Sequence, residues 1–206
     1  MKSLSSLVLA SMLAVGCNHG DRNKSNTQQA DQRNLNGAGY TLSESGSFTH
    51  KENEMSGSGT VVFTIPTKDK DNSYSLTFTL ADAGSLTLTA NAGRGLRSGI
   101  SIQFTRAGAA LKASLKSGST EVDISSKFRK IDSSKEMIFQ IDMHNSESPT
   151  HILVWANPTE FSEDSALFNS ETDAEAPGQG GGNIWGLVLV NAVVTSAATA
   201  EPKFEE

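Results

Sequence analysis

Residues 137–156, MIFQIDMHNSESPTHILVWA, decide the fold of this chain because they encode two strands and the turn between them. Apolar residues alternate with polar ones from Phe139 to His144, and a second alternation begins at Ile152 after a polar break. Alternation with period two on both sides of such a break predicts a β-hairpin. A hairpin with one apolar face needs further strands to cover that face.

The length of the break fixes the predicted register of this hairpin. Six turn residues, 145–150, place His144 opposite His151. A one-residue slip would move every apolar side chain to the other face. The predicted buried pairs are Met143 with Ile152, Ile141 with Val154 and Phe139 with Ala156. The predicted outward pairs are His144 with His151, Asp142 with Leu153 and Gln140 with Trp155.

The rest of the chain supplies strands of the same kind. Short alternating stretches occur at 47–51, 60–65, 74–80, 85–90, 100–104, 111–115 and 122–124. Turn residues separate them, including the Ala-Asp-Ala-Gly run at 81–84, and helical patterning is nearly absent. Residues 183–195 are apolar on both faces and predict a long central strand with a bulge at Gly186. The pattern predicts an all-β fold, an antiparallel β-sandwich of the jelly-roll type.

Composition divides the chain into four parts. Residues 1–17 hold a charged start and an apolar stretch, which predicts a secretory signal peptide. Residues 18–38 are too polar to form a core and predict a disordered tether. The sandwich domain is expected over 39–198, followed by a polar tail at 199–206.

The end of the leader, Leu13-Ala-Val-Gly-Cys17, resembles the lipobox of bacterial lipoproteins. The resemblance implies that Cys17, the one cysteine in the chain, carries the lipid and anchors the protein to a membrane. Asn18 stands where an aspartate tends to retain lipoproteins at the inner membrane, so the outer membrane is the expected location. The alternative is an ordinary signal peptide that happens to contain a cysteine.

Charge and motifs exclude several classes of function. The formal net charge is −6, and no stripe of lysine or arginine is present, so nucleic acid is not an expected partner. The sequence lacks a nucleophile elbow, a zinc-protease motif, a Cys-x-x-Cys pair and a phosphate-binding loop.

Part of the domain resembles the concanavalin-type jelly-rolls, in particular the laminin-G-like and pentraxin-like modules. The resemblance rests on Gly-Ile-Ser-Ile-Gln-Phe at 99–104, the alternating strand at 110–116, the amphipathic strand at 138–143 and Trp-Gly-Leu-Val-Leu at 185–189. It implies the same sandwich architecture as the strand pattern.

The outward face of the hairpin holds the candidate binding residues. Gln140, Asp142 and Trp155 can contact a ligand, with Trp155 stacking on a sugar ring. His144, His151 and Asp142 can hold a divalent transition metal as a cofactor. The alternative is a solvated hairpin tip with a half-buried Trp155 under a loop.

A second candidate set follows the hairpin. Glu171, Asp173 and Glu175 form a Glu-x-Asp-x-Glu run that resembles the catalytic strand of jelly-roll glycoside hydrolases related to lichenases. The resemblance implies a nucleophile and a general acid side by side on one strand face. The alternative is a solvated acidic loop.

These observations favour a lipid-anchored envelope protein with a non-catalytic binding domain for a glycan or for an envelope or surface protein. The two alternatives are a glycan hydrolase that uses Glu171 and Glu175, and a structural component of the envelope.

The anchor hypothesis predicts that Cys17→Ser abolishes acylation, because no other thiol is available to the lipid. We expect the variant to leave the membrane fraction and to appear in the periplasm or the medium. Fractionation with palmitate labelling measures this. A variant that still labels and still sediments with membranes would contradict the anchor.

Overall fold

The structure is a computed structural model that describes residues 41–51, 54–64, 71–93, 96–144, 150–173 and 182–200. The predicted leader and tether, the hairpin turn at 145–149, and Glu175 lie outside the described residues. The ten strands are β1 Thr41–Lys51, β2 Glu54–Thr64, β3 Asn72–Ala92, β4 Ile100–Ala107, β5 Ala110–Ser117, β6 Thr120–Asp123, β7 Met137–His144, β8 His151–Ala156, β9 Phe168–Asn169 and β10 Ile184–Ala200. Two short 3-10 helices span Ser125–Phe128 and Glu163–Ser165. Neither these nor any other helix in the described part of the chain is long and apolar enough to cross a membrane.

One antiparallel sheet contains all ten strands, in the order β1-β2-β10-β3-β4-β5-β6. A branch leaves this order at β3, where β7 pairs and is followed by β8 and β9. The first half of β3, residues 72–78, pairs with β7, and the second half, residues 85–90, pairs with β4. The long strand β3 therefore belongs to two layers, and the sheet folds over onto itself.

The fold-over occurs at residues 81–84, which the sequence predicted to be a turn. That prediction is wrong, because β3 continues through these residues as a bent strand. The bend has Ala83 at φ 57° and an exposed surface at 81–83. A Cβ on Gly84 would lie 2.6 Å from the carbonyl oxygen of Asn191, so only glycine lets β10 pass this close.

The last strand, β10, lies in the middle of the sheet between β2 and β3, as the sequence predicted. Its register against β3 shifts between Ile184 and Gly186, which confirms the bulge. It runs to Ala200, two residues past the predicted end of the domain. The expectation of two covered faces is wrong, because Val190 is 42% exposed while Leu187 and Leu189 lie in the core.

A cluster of phenylalanines joins the two layers. Phe104 of β4 stacks on Phe139 of β7 with ring centroids 4.6 Å apart. Phe78 of β3 lies 5.9 Å from Phe104 and 5.8 Å from Phe139. Strands β4 and β7 pair with different halves of β3, so these contacts cross the core from layer to layer. The fold is an antiparallel β-sandwich of the jelly-roll type, as predicted.

The hairpin formed by β7 and β8 has the predicted register at all six pairs. His144 lies opposite His151, Asp142 opposite Leu153, and Gln140 opposite Trp155. The intervening positions Phe139, Ile141 and Met143 point into the core. Period two together with the length of the turn was therefore sufficient to place every side chain on its face.

Burial of Phe78 predicts a large effect of truncating it. Phe78→Ala deletes a side chain at the centre of the aromatic cluster and is expected to lower the free energy of unfolding by about 3–5 kcal/mol. Thr77→Ala, one residue earlier on the outer face, should change it by less than about 0.5 kcal/mol. Urea unfolding of the two variants measures the difference. Equal midpoints would contradict the assigned facing of β3.

Candidate functional site

The outward face of the β7–β8 hairpin holds the predicted binding residues, but it is covered. Trp155 is 1% exposed, and Asp142 and Gln140 are buried as well. A ligand in solution cannot reach these three side chains in this arrangement. The prediction that they bind a ligand directly is therefore not supported by their exposure.

Gln140 and Asp142 bond instead to the neighbouring strand β3. Ser73 Oγ donates to Asp142 Oδ1, and Ser75 Oγ donates to Gln140 Oε1. Gln140 Nε2 donates in turn to Ser73 Oγ. The four side chains form a hydrogen-bonded network across the β3–β7 pair, and all of them except the partly exposed Ser75 are buried. Such a network serves to hold two strands in register.

Trp155 lies under the loop that follows β8. Its Nε1 donates to the carbonyl oxygen of Ser162 at 3.0 Å and to Ser165 Oγ at 3.1 Å. Ser162 also caps the 3-10 helix Glu163–Ser165, since its side chain accepts from Ser165 N. The loop was predicted in the alternative interpretation of this face. The structure buries the indole completely rather than by half, which leaves it no free face for a sugar.

The aromatic ring that is exposed at this edge of the sandwich belongs to Phe161 and not to Trp155. Phe161 is 39% exposed and meets Trp155 edge-on, with ring centroids 5.6 Å apart and an interplanar angle of 84°. Glu160 beside it is exposed. No local pattern distinguishes Phe161, because its position depends on the loop turning back over Trp155.

The two histidines meet as predicted, with ring centroids 5.6 Å apart and an interplanar angle of 30°. Asp142 does not join them. Its carboxylate accepts from Ser73, and β3 lies on the side of β7 opposite to β8. Among the described residues, the ligand atoms of His144, His151 and Asp142 do not all lie within 4.8 Å of one another, so the predicted metal trio is not assembled.

A different trio converges on His151. One ligand atom from each of His151, Glu163 and Glu171 lies within 4.8 Å of the others. His151 is buried at the start of β8, and the two glutamates are exposed. Glu163 begins the 3-10 helix, and Glu171 follows β9. We call this group the His151 cluster.

Asn169 on β9 holds the cluster in place. Its Oδ1 accepts from Glu171 N at 2.9 Å and lies 3.2 Å from His151 Nε2. The bond from the backbone identifies this atom as the amide oxygen, so the imidazole must donate to it. Nε2 therefore carries a proton, and in the neutral imidazole the lone pair is on Nδ1.

The acidic run after β9 is a turn and not a strand. Glu171 and Asp173 occupy a turn at 171–173, so they do not alternate on one strand face. Asp173 is held by Lys127 Nζ and accepts from Asn169 N at 2.9 Å. The geometry that the hydrolase resemblance implied for Glu171 and Asp173 is absent from the structure, and Glu175 lies outside the described residues.

We expect the hydrogen bonds of the Trp155 indole N–H to hold the loop that follows β8 against the sheet. Trp155→Phe removes the donor to Ser162 and Ser165 and should lower the free energy of unfolding by about 1–3 kcal/mol. It should also expose residues 157–165 to proteases. Urea unfolding and limited proteolysis measure both effects. A variant as stable and as resistant as the wild type would show that the indole does not hold the loop.

Comparisons with known proteins show a shared fold and no close relative. No family model matches the chain, and no curated protein sequence matches it. The carbohydrate-binding module CBM66 from Bacillus subtilis superposes on 81% of this chain and 96% of its own, with a TM-score of 0.51 and 12% identity. Sheep galectin-11, solved in complex with glycerol, covers 70% of this chain and 98% of its own, with a TM-score of 0.43 and 12% identity. The chain is similar to the bacterial module in fold.

Proposed function

We propose that this protein is a lipid-anchored component of the cell envelope whose β-sandwich is a non-catalytic module that binds a glycan. The observation that carries the proposal is the Phe161 platform, an exposed aromatic ring supported edge-on by the buried Trp155. The sandwich fold, similar to that of a carbohydrate-binding module, supports the same conclusion.

The platform suits a sugar for physical reasons. The C–H face of a pyranose is apolar and packs on an aromatic ring, while its hydroxyls seek acceptors at the rim. Phe161 offers the ring, and the exposed carboxylate of Glu160 beside it offers an acceptor. Trp155 is itself held by two hydrogen bonds, so the support beneath Phe161 is ordered before any ligand arrives. Preorganisation of this kind lowers the entropic cost of binding.

The anchor places the module close to its ligand. The sequence predicts a tether of about twenty residues, and a random coil of that length reaches about 25 Å. Acylation at Cys17 would therefore hold the sandwich within that distance of the membrane surface. Glycans of the envelope lie in the same zone, and a module held there meets them at a high effective concentration.

Catalysis is not part of the proposal. Retaining hydrolysis requires two carboxyl groups that face the scissile bond. Asp173 is engaged by Lys127 and by the backbone of Asn169, and Glu171 lies in the same turn.

The platform predicts a specific loss of binding. The purified full-length chain, kept in detergent, is applied to a glycan array, and the affinity for the best glycan is measured by titration. Phe161→Ala should weaken that affinity by about thirtyfold, which corresponds to about 2 kcal/mol for a central aromatic contact.

Val190→Ala is the matched control, because it removes an exposed apolar side chain from the corner of β10 and should bind as the wild type does. Equal binding by both variants would remove Phe161 from the site. An array on which the wild-type chain binds no glycan would overturn the proposed function.

A further inference from the structure

We propose that the His151 cluster is a binding site for a divalent transition metal, with zinc as its occupant. The site goes beyond the proposed glycan function and does not depend on it. It is formed by His151, Glu163 and Glu171, whose ligand atoms lie within 4.8 Å of one another. A single ion can bridge donors at that spacing, since zinc binds nitrogen and carboxylate oxygen at about 2.0–2.2 Å.

The donor set favours zinc over the hard cations. Calcium and magnesium take oxygen ligands almost exclusively, while an imidazole suits zinc and its neighbours. The imidazole of His151 is already oriented by Asn169, whose oxygen accepts from Nε2 at 3.2 Å. A carbonyl oxygen behind a ligating histidine is the usual outer partner of a metal site, because it fixes the tautomer and the ring plane. Asn169 is fixed in turn by the backbone of Glu171.

The negative charge of the two glutamates also favours a cation at the cluster. Two exposed carboxylates beside the imidazole supply negative charge that a divalent ion between them would neutralise. The asymmetry of exposure fits an entry route, because Glu163 and Glu171 face solvent while His151 is buried behind them. An ion can therefore reach the glutamates from outside before it contacts the imidazole.

An independent observation comes from His144, which stacks on His151 with ring centroids 5.6 Å apart. His144 is 8% exposed, and its Nε2 is buried without a hydrogen-bond partner in the part of the chain that the structure describes. A buried polar nitrogen with no partner costs free energy. The ring that stacks on the proposed ligand His151 therefore carries a buried nitrogen whose hydrogen-bonding capacity is unused among the described residues.

Occupancy of the site would tie three segments of the chain together. His151 begins β8, Glu163 lies in the loop over Trp155, and Glu171 lies in the turn after β9. The same loop carries Phe161. A metal ion would therefore clamp the loop at a second point, and its binding free energy would add to the stability of the folded state.

The test is calorimetric titration of zinc chloride into the full-length chain in detergent. We expect saturable binding of one ion per chain, retained in Cys17→Ser, which removes the only thiol that could compete. Glu163→Gln and Glu171→Gln should each weaken the zinc affinity by about tenfold or more. Both side chains are exposed, so neither substitution should prevent folding.

Glu160→Gln is the matched control, because it neutralises an exposed glutamate of the same loop outside the cluster. It should bind zinc as the wild type does. A wild-type chain that binds no zinc, an equal loss in Glu160→Gln, or calcium binding as tight as zinc binding would each overturn the proposal. A failure of the glycan array leaves these titrations unaffected, so the two proposals can fail separately.

Discussion

The pairing of β3 with β10 is the constraint on which the rest of the structure depends. Both strands are long, 21 and 17 residues, and they stay hydrogen-bonded to each other on both sides of the corner. Each bends at the same point, β3 at Ala83 and β10 at Asn191, both with positive φ. The contact between Gly84 and the carbonyl of Asn191 shows how close the two bends lie. Because the two strands turn together, the layers need no separate connection and remain one sheet.

This shared corner explains both a success and a failure of sequence-based prediction. The register of β7 against β8 follows from a pattern within twenty residues, so alternation and turn length define it. The Ala-Asp-Ala-Gly run at 81–84 carries the same residues whether the chain reverses or only bends. The pairing with β10, more than a hundred residues later in the chain, decides whether residues 81–84 reverse or only bend. No local sequence pattern contains information about that pairing. Fold class was therefore predictable, while the path of β3 was not.

The candidate site likewise combines contacts that the local sequence predicts with contacts that depend on distant parts of the chain. The hairpin places His144 beside His151 by local register, and the sequence predicted this contact. The neighbours of the outward face come from elsewhere. Ser73 and Ser75 reach Gln140 from β3, and the loop after β8 returns over Trp155. Polar residues on an alternating strand predict a wet face, and here long-range partners bury that face instead. The assembly of Glu163 and Glu171 around His151 depends on the same returning loop.

One side chain links the core to the proposed sites. An indole buried on the outer face of a sheet needs an acceptor for its N–H, and the loop provides Ser162 and Ser165. Once the loop is held there, Phe161 comes to lie nearly perpendicular to the indole, and Glu163 comes within reach of His151. A three-residue 3-10 helix has too few hydrogen bonds to be stable alone, so its geometry is set by these contacts at its two ends. Satisfying one buried donor thus presents an aromatic ring and a carboxylate at the surface. The function proposed for this edge of the sandwich follows from a requirement of its packing.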